Sequence, residues 1–595
     1  MPASRTWRDI LILTALCGIV YFFLPTTHGL TNWQEAKRAL VAREMDKRLD
    51  SDPWAWLVPT DDGKPYLAKP PMIYWCQLAV ARVLGRESDE LCLRLTVALA
   101  GWLGVLATYL ASRQIVRLGI PREPAPGNQD FADSLPLWAA LLLATGPLYV
   151  RSSRFGELDI LLVPTVVSAI GLIVRAWRHT NETGRPHFPA LAGAIIITSA
   201  AVLTKGPPAV LTLALAAYGG MLLWAAFRTD FPAAPARSRI IAACIGLAAF
   251  AVPAFRSFGE AGDAIGVAVL AFLGACVGWV LGALATRLRL ANLWHLWSRT
   301  HPVAVLGVPL LVFFGWGRAV AARIGDTVVG ASAAEEIEDN LRLFVPEAPL
   351  NNAEAMLYGV GLGSVLFVLA LAHLLWRRQR LAPGLAVCLA WVGLGFIAFS
   401  TLGKGVPRYL TPLWPGIAIL GAWWLCLCVP DARAVTKLNR AAAVIVTVLA
   451  LAQAWWYGVG LERFYPGRSP RAFVAELRSL TNPDDVISTF EFSTPALDYY
   501  LGSHVESFHD VVPRHNLHMV GPRTIAELKQ ELAGGKRYII LARAVQPSSQ
   551  DSKPALDCLL DAGLEVEPIE VSAPFIIDNG RTKVRALRLR DGTAK

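Results

Sequence analysis

The chain has 595 residues, of which 54% are hydrophobic and only 17% charged, and its mean hydropathy is +0.43. Soluble globular proteins carry about 25% charged residues, so a soluble fold is excluded and a polytopic α-helical membrane protein is expected. The formal charge of +10 sits largely in short connections between apolar runs, where it orients spans and does not recruit nucleic acid.

Arg5 and Arg8 precede the first apolar run, 10–24. No small-residue cleavage site follows it, so it reads as a retained first span and not as a removed signal. Further candidate spans lie at 95–116, 135–150, 158–177, 190–203, 209–227, 240–255, 264–285, 302–316, 356–376, 383–400, 409–429 and 441–459. That makes about thirteen, several near the minimum length for crossing a bilayer. The run 73–84 is short and carries Gln77 and Arg82; it is predicted to lie at the membrane interface with Tyr74 and Trp75 at headgroup level.

With the N-terminus inside, the cytoplasmic connections hold Arg113, Arg175, Arg228, Arg287, Arg377 and Arg433 among other basic residues, as a positive-inside bias requires. The unusual polar motifs then share the opposite, extracytoplasmic face: Glu35, Lys69, Asp159, Lys205, Lys404, Arg408 and the connection holding Arg318, Arg323, Glu335, Glu336, Asp339 and Arg342. Residues 1–460 read as the transmembrane domain, with an outer-face loop at 25–94. Residues 461–595 alternate β-rich runs (486–489, 537–541, 566–571, 584–589) with helical patterns (524–532, 554–562). They are predicted to form a soluble extracytoplasmic α/β domain.

Within the outer loop, Trp33, Ala36, Leu40 and Met45 recur near helical spacing between charged residues. The pattern fits an amphipathic helix resting on headgroups, or one that aims Glu35 and Lys37 into a site. Lys69-Pro70-Pro71 and Lys205-Gly206-Pro207-Pro208 each put a cation beside a stiff turn, and Lys404 with Arg408 makes a third cationic turn. One such residue is a snorkelling anchor; three on the face opposite the bias fit a phosphate held by charge-assisted hydrogen bonds. Asp159, next to an apolar run, is either a functional acid or a helix N-terminal acid complementing the macrodipole.

Other features carry less. Gly359, Gly361 and Gly363 fall inside an apolar run with no preceding strand and are expected to serve close helix packing. His504, His509, His515 and His518 lack helical ligand spacing and read as loop histidines. Six of the nine cysteines, Cys17, Cys244, Cys276, Cys388, Cys426 and Cys428, sit in apolar runs, while Cys76 and Cys92 flank a polar turn and could pair in an oxidising compartment.

The outer loop with its acidic-basic helix and Arg43-Glu44-Met45, the Lys69-Pro70-Pro71 turn, the 93–99 entry, Arg154 through Leu162, Thr204 to Pro207 and Arg408 through Pro415 occur in order on one face. Together they resemble the ArnT/protein-O-mannosyltransferase-like membrane glycosyltransferases of the GT-C fold. The resemblance implies transfer of a sugar from a polyprenyl-phosphate carrier to an acceptor (lipid, protein or glycan) outside the inner (cytoplasmic) membrane, and an inverting, metal-optional reaction is the expectation built on it. It implies that Lys37 and Lys205 contact the carrier phosphate and that Lys69 lies in the same basin; the cationic-turn pattern adds Lys404 and Arg408 to the expected phosphate site. The family usually has Asp-Glu where this chain has Gln34-Glu35, and often an acid where Ala68 stands. These departures remove the expected general base and a metal ligand, so Glu35 or Asp159 is expected to act as base; a divalent metal is left open. The competing expectations are a lipid-linked sugar flippase and a catalytically lapsed glycan-binding relative.

Overall fold

The computed structural model describes residues 3–591 apart from 32, 121–133, 228–239, 242–243, 245–298, 341–344, 346, 378–380, 404, 429–431, 510–522, 545–554 and 578–581. Among the described residues, eight helices are long and apolar enough to cross a membrane, and a bent pair makes a ninth. This is a multi-pass membrane protein, but the count falls below the expected thirteen for identifiable reasons. Predicted spans 240–255 and 264–285 lie outside the described residues, bar three isolated positions. The first helix, α1 (Ala3–Phe22), is not among the eight. The predicted span 135–150 is broken after Leu135–Ala144 and restarts at Pro147–Arg154, since Gly146 and a proline intervene.

The bent pair is Ala348–Tyr358 with Leu362–Arg377, turned by 108°. Gly361 adopts φ +56 at the break, a left-handed conformation that favours glycine. The glycines at 359–363 thus make a corner, where close packing inside one continuous span was expected. Gly359 does pack closely: a Cβ there would meet the Trp414 indole at 2.9 Å.

The core of the membrane part is built around α4 (Glu90–Gly119), a 30-residue helix capped by Asp89, whose side chain accepts from the Cys92 N–H. It packs on the helix Leu162–Thr183, and the two approach closely where Gly171 faces Ala111, a Cβ on the glycine lying 3.1 Å from the Ala111 Cα. Such small-residue contacts let helices meet without the hydrophobic drive that operates in water. The interfacial run forms α3 (Met72–Leu84), too short to span and ended by Gly85 in the left-handed conformation.

Beyond Pro470 the chain builds a mixed sheet. Its strands are β3 (Val486–Phe490), β4 (Ser507–His509), β5 (Arg523–Thr524), β6 (Tyr538–Arg543), β7 (Leu564–Ile569), β8 (Ile576–Ile577) and β9 (Thr582–Asp591). The order is β5-β4-β3-β6-β9-β7, with β8 on β9. The β5-β4-β3-β6 half is parallel and the β9 pairings are antiparallel. The short strands β4, β5 and β8 escape a periodicity reading because two or three residues show no alternation.

This sheet is fastened to the membrane part. Helix Pro495–Leu501 lies on α2 (Trp33–Arg48), the helix of the outer loop. Arg43 donates to the Tyr499 carbonyl at 3.1 Å, and the Tyr499 and Tyr500 hydroxyls accept the Glu90 and Leu30 N–H groups at 2.9 and 2.8 Å. Arg471 pairs with Glu90 and donates to the Thr26 carbonyl.

Candidate active site

Helix α2 turns its charges inward. Glu35, Lys37, Arg38 and Asp46 are all buried, so it is not a helix with solvated charges lying on headgroups. Two distinct centres form along it.

The first centre surrounds Glu35, which is fully enclosed. Its Oε1 accepts the Gly156 N–H at 2.8 Å and lies 3.0 Å from the Arg94 guanidinium; its Oε2 accepts the Thr31 N–H at 3.3 Å. Burial pushes the Glu35 carboxyl above the usual carboxylate range, while the Arg94 charge and these N–H groups oppose the rise. Position 156 requires glycine, because a Cβ would stand 2.6 Å from Leu93 and 3.1 Å from the Glu35 side chain. The Gly156 carbonyl in turn accepts from Arg38.

The second centre is a basin of cations. At its interior side Asp159, 2% exposed, opens the 3₁₀ turn Leu158–Leu161. It pairs with Lys205, the last residue of helix Phe188–Lys205, and has the Arg408 Nε 3.7 Å from its second oxygen. Lys205 also stands 3.8 Å from the Tyr409 ring centroid, a cation–π contact. Two motifs roughly 200 residues apart in sequence therefore meet on one carboxylate.

At the other side of the basin lies a small hairpin, β1 (Thr60–Asp61) and β2 (Lys64–Pro65). Asp62 and Gly63 both have positive φ, 52 and 71. A two-residue turn with both central residues left-handed is the type I′ turn that an Asp-Gly pair favours. Glu44 on α2 bolts this turn down, its Oε1 accepting the Thr60 hydroxyl at 2.7 Å and the Gly63 N–H at 2.8 Å. That register presents Asp61 to Lys37, and the two form an ion pair. Lys37 also lies 5.5 Å from the Trp33 ring and 5.9 Å from the Tyr66 ring.

Downstream, Lys69 donates to its neighbour's carbonyl at 2.8 Å and pairs with Glu336, near the end of helix Asp326–Asn340. Arg38 bridges the two centres. It donates to the Gly156 carbonyl beside Glu35 and to Gln34 Oε1 at 3.3 Å, and it feels the charges of Asp159 and Arg408. Lys69 and Arg408 likewise act electrostatically on Lys205. Burial pushes the Tyr66 hydroxyl up to about 12, with Asp61 and Glu336 adding to the rise and Arg38 opposing it.

The structure thus gathers Lys37, Lys69, Lys205, Arg408 and Asp159, and sets Glu35 apart in its own enclosure. Lys404 lies outside the described residues. Sequence reasoning passed over Arg38, Asp61 and Glu336 as site residues. The Asp62-Gly63 turn signal was legible and could have directed attention to Asp61.

Among the described residues, no group of three or more His, Cys, Asp or Glu could hold a metal ion. The donor set does not fit a divalent cation, since Asp61, Asp159 and Glu336 each face a lysine. His504 pairs with Asp498 at 3.3 Å; His515 and His518 lie outside the described residues. Cys76 and Cys92 are both free, so the expected option of a bond between them is not realised.

No protein-family model matches the sequence, and no curated protein matches it. Solved structures do. ArnT from Cupriavidus metallidurans bound to undecaprenyl phosphate aligns with 98% of this chain and 98% of its own at 14% identity and a TM-score of 0.62. The same protein in its apo state aligns with 99% of this chain and 98% of its own, at 14% identity and a TM-score of 0.61. The archaeal oligosaccharyltransferase AglB from Archaeoglobus fulgidus covers 83% of this chain and 63% of its own, at 14% identity and a TM-score of 0.46. From the first helix to the C-terminal sheet, this chain has the GT-C fold seen in ArnT.

Proposed function

We propose that this protein is a membrane glycosyltransferase that moves a sugar from a polyprenyl-phosphate carrier to an acceptor hydroxyl on the extracytoplasmic face of the inner membrane. One observation carries the reading. Five cations, Lys37, Arg38, Lys69, Lys205 and Arg408, share a basin in which three carboxylates, Asp61, Asp159 and Glu336, pair with them. The surplus is positive, in a partly buried place, and that suits a phosphate. ArnT, whose fold this chain has, was solved with undecaprenyl phosphate bound.

The chemistry follows from what leaves. When the anomeric C–O bond breaks, its electron pair goes to a phosphate oxygen, and negative charge accumulates there. Lys205, Arg408, Lys69 and Lys37 stabilise that charge, with Lys404 assigned to the same role. A phosphate leaving group needs neutralisation more than a proton, which suits a site rich in lysine and poor in histidine. An outer-face carboxylate takes the proton of the acceptor hydroxyl. Glu35 and Asp159 are the two that the sequence offers for this role. Residues 1–460 form the transferase domain in this reading, and 461–595 an extracytoplasmic domain above it.

Binding of undecaprenyl phosphate to purified protein, followed by ligand-induced thermal stabilisation, tests the reading directly. Lys205→Ala is expected to weaken binding about tenfold to a hundredfold, as loss of one charge-assisted hydrogen bond worth roughly 1.5–3 kcal/mol would. Unchanged affinity returns Lys205 to the role of a membrane anchor. Release of carrier phosphate from a polyprenyl-phosphate sugar separates a transferase from a flippase, which moves lipid without breaking the bond. Cysteine labelling that reached positions 205 and 378 from the same side would contradict the assignment of faces.

A further inference from the structure

Four carboxylates, Glu35, Asp61, Asp159 and Glu336, stand beside cations, and they differ in reach. Glu35 has both oxygens occupied by N–H groups or Arg94 and is fully enclosed. Asp159 lies between Lys205 and Arg408 with 3% of its side chain exposed. Asp61 has 18% of its side chain exposed and pairs with a single lysine, Lys37. A general base must come within hydrogen-bond reach of the hydroxyl it deprotonates. Glu336, paired with Lys69 and 34% exposed, shares with Asp61 a surface that an acceptor can approach; of these two, only Asp61 stands on a turn that Glu44 bolts in place.

Its position supports the same conclusion. Asp61 sits on a hairpin fixed by the Asp62-Gly63 turn and by Glu44, so its carboxylate is held in place without the deep burial of Glu35 and Asp159. His504 of the C-terminal domain feels the charges of Asp61 and Asp62. Asp61 is more exposed than Asp159, 18% against 3% of the side chain.

We infer that Asp61 is the proton acceptor of the transfer reaction, an assignment that rests on the glycosyltransferase reading above. The acceptor O–H gives its proton to the Asp61 carboxylate, and the oxygen forms a bond to the anomeric carbon. The bond from that carbon to the carrier oxygen breaks, and its electron pair stays on the phosphate. The protonated Asp61 no longer neutralises Lys37, and this lysine becomes available to the phosphate as its charge grows. One ion pair thereby links proton removal to stabilisation of the leaving group. Lys37 pairs with this carboxylate, and Tyr66, Tyr74 and His504 feel its charge; Glu336 acts on the same two tyrosines.

The test uses purified full-length protein, undecaprenyl-phosphate-linked pentose, hexose and amino sugar as donors, and a total membrane extract as the acceptor pool. Asp61→Asn is expected to lower kcat for carrier-phosphate release by about a hundredfold to a thousandfold. Affinity for undecaprenyl phosphate should stay within about threefold or rise, which also shows that the variant is folded. The acid limb of the pH–rate profile should disappear, and Asp61→Glu should recover part of the rate. Asp61→Asn with kcat within about tenfold of wild type overturns the assignment while leaving the transferase reading intact. So does recovery of activity in the Lys37→Met, Asp61→Asn double variant, since Asp61 would then only neutralise a lysine. If the unaltered protein releases carrier phosphate from none of the donors, the transferase reading itself falls, and Asp61 as base falls with it.

Discussion

The Glu35 centre and the cation basin lie along the same helix and use the same residue types, yet they are built in opposite ways. Around Glu35 each charge is answered: Arg94 faces the carboxylate, backbone N–H groups take its remaining lone pairs, and neither side chain is exposed. In the basin, cations outnumber the carboxylates that pair with them, and Lys69 and Arg408 stay about a quarter exposed. A buried charge with every partner in place is a structural element, because removing either side leaves the other stranded. A surplus of one sign, reachable from outside, has been left for a ligand.

The largest expected effect separates the two centres by stability. Glu35→Gln should cost roughly 3–5 kcal/mol, since Arg94 would be left buried and uncompensated. Size-exclusion profiles and thermal unfolding in detergent should show most of the protein lost or aggregated. A well-folded Glu35→Gln protein with only kcat reduced would erase the distinction drawn between the centres. Lys205→Met tests the other side. Its effect belongs in ligand affinity, and a fall in stability larger than the fall in affinity would make the basin structural as well.

Gln34→Asp should act more weakly. Gln34 accepts from Arg38, so an acid there would draw that guanidinium away from Asp159 and reduce the positive surplus. Affinity for undecaprenyl phosphate should fall by about threefold to tenfold, a cost near 1 kcal/mol. A tighter complex would show that Arg38 does not contribute to phosphate binding.

The smallest expected effect concerns His504. Its hydrogen bond to Asp498 raises its proton affinity above the ordinary histidine range, with burial opposing. A histidine whose folded value is raised contributes stability that is fully present below about pH 6.5 and is lost as pH rises through the folded value. Unfolding of the C-terminal domain should therefore become slightly easier between pH 6 and 8, and His504→Gln should flatten that dependence. An unaltered slope in the variant would assign the pH dependence elsewhere.

Helix α2 is legible in the sequence as helical spacing from Trp33 to Met45, and the Lys-Pro-Pro turn and the cationic motifs at 205 and 408 are legible as unusual. Their pairing is not. Lys205 meets Asp159 across 46 positions and Lys69 meets Glu336 across 267, and no local periodicity encodes such distances. The burial of Glu35 is equally hidden, because the sequence pattern of an amphipathic helix is the same whether its charged face meets water or Arg94. The corner at Gly361 was misread because a run of apolar residues looks continuous whether the backbone is straight or bent, and only a positive φ reveals the break.

The clamp between the C-terminal sheet and α2 sets an order on synthesis. The Leu30 N–H and the Tyr500 hydroxyl that accepts it are 470 positions apart, and Arg43 and the Tyr499 carbonyl 456. A ribosome adds roughly 5–20 residues per second, so α2 waits about 25 to 90 seconds for the C-terminal partners that clamp it. During that interval the Arg43 side of α2 lacks its partner at Tyr499, while the basin residues, all at or before Arg408, are already synthesised. A protein halted before residue 500 would therefore hold the basin's residues without the clamp that fixes α2.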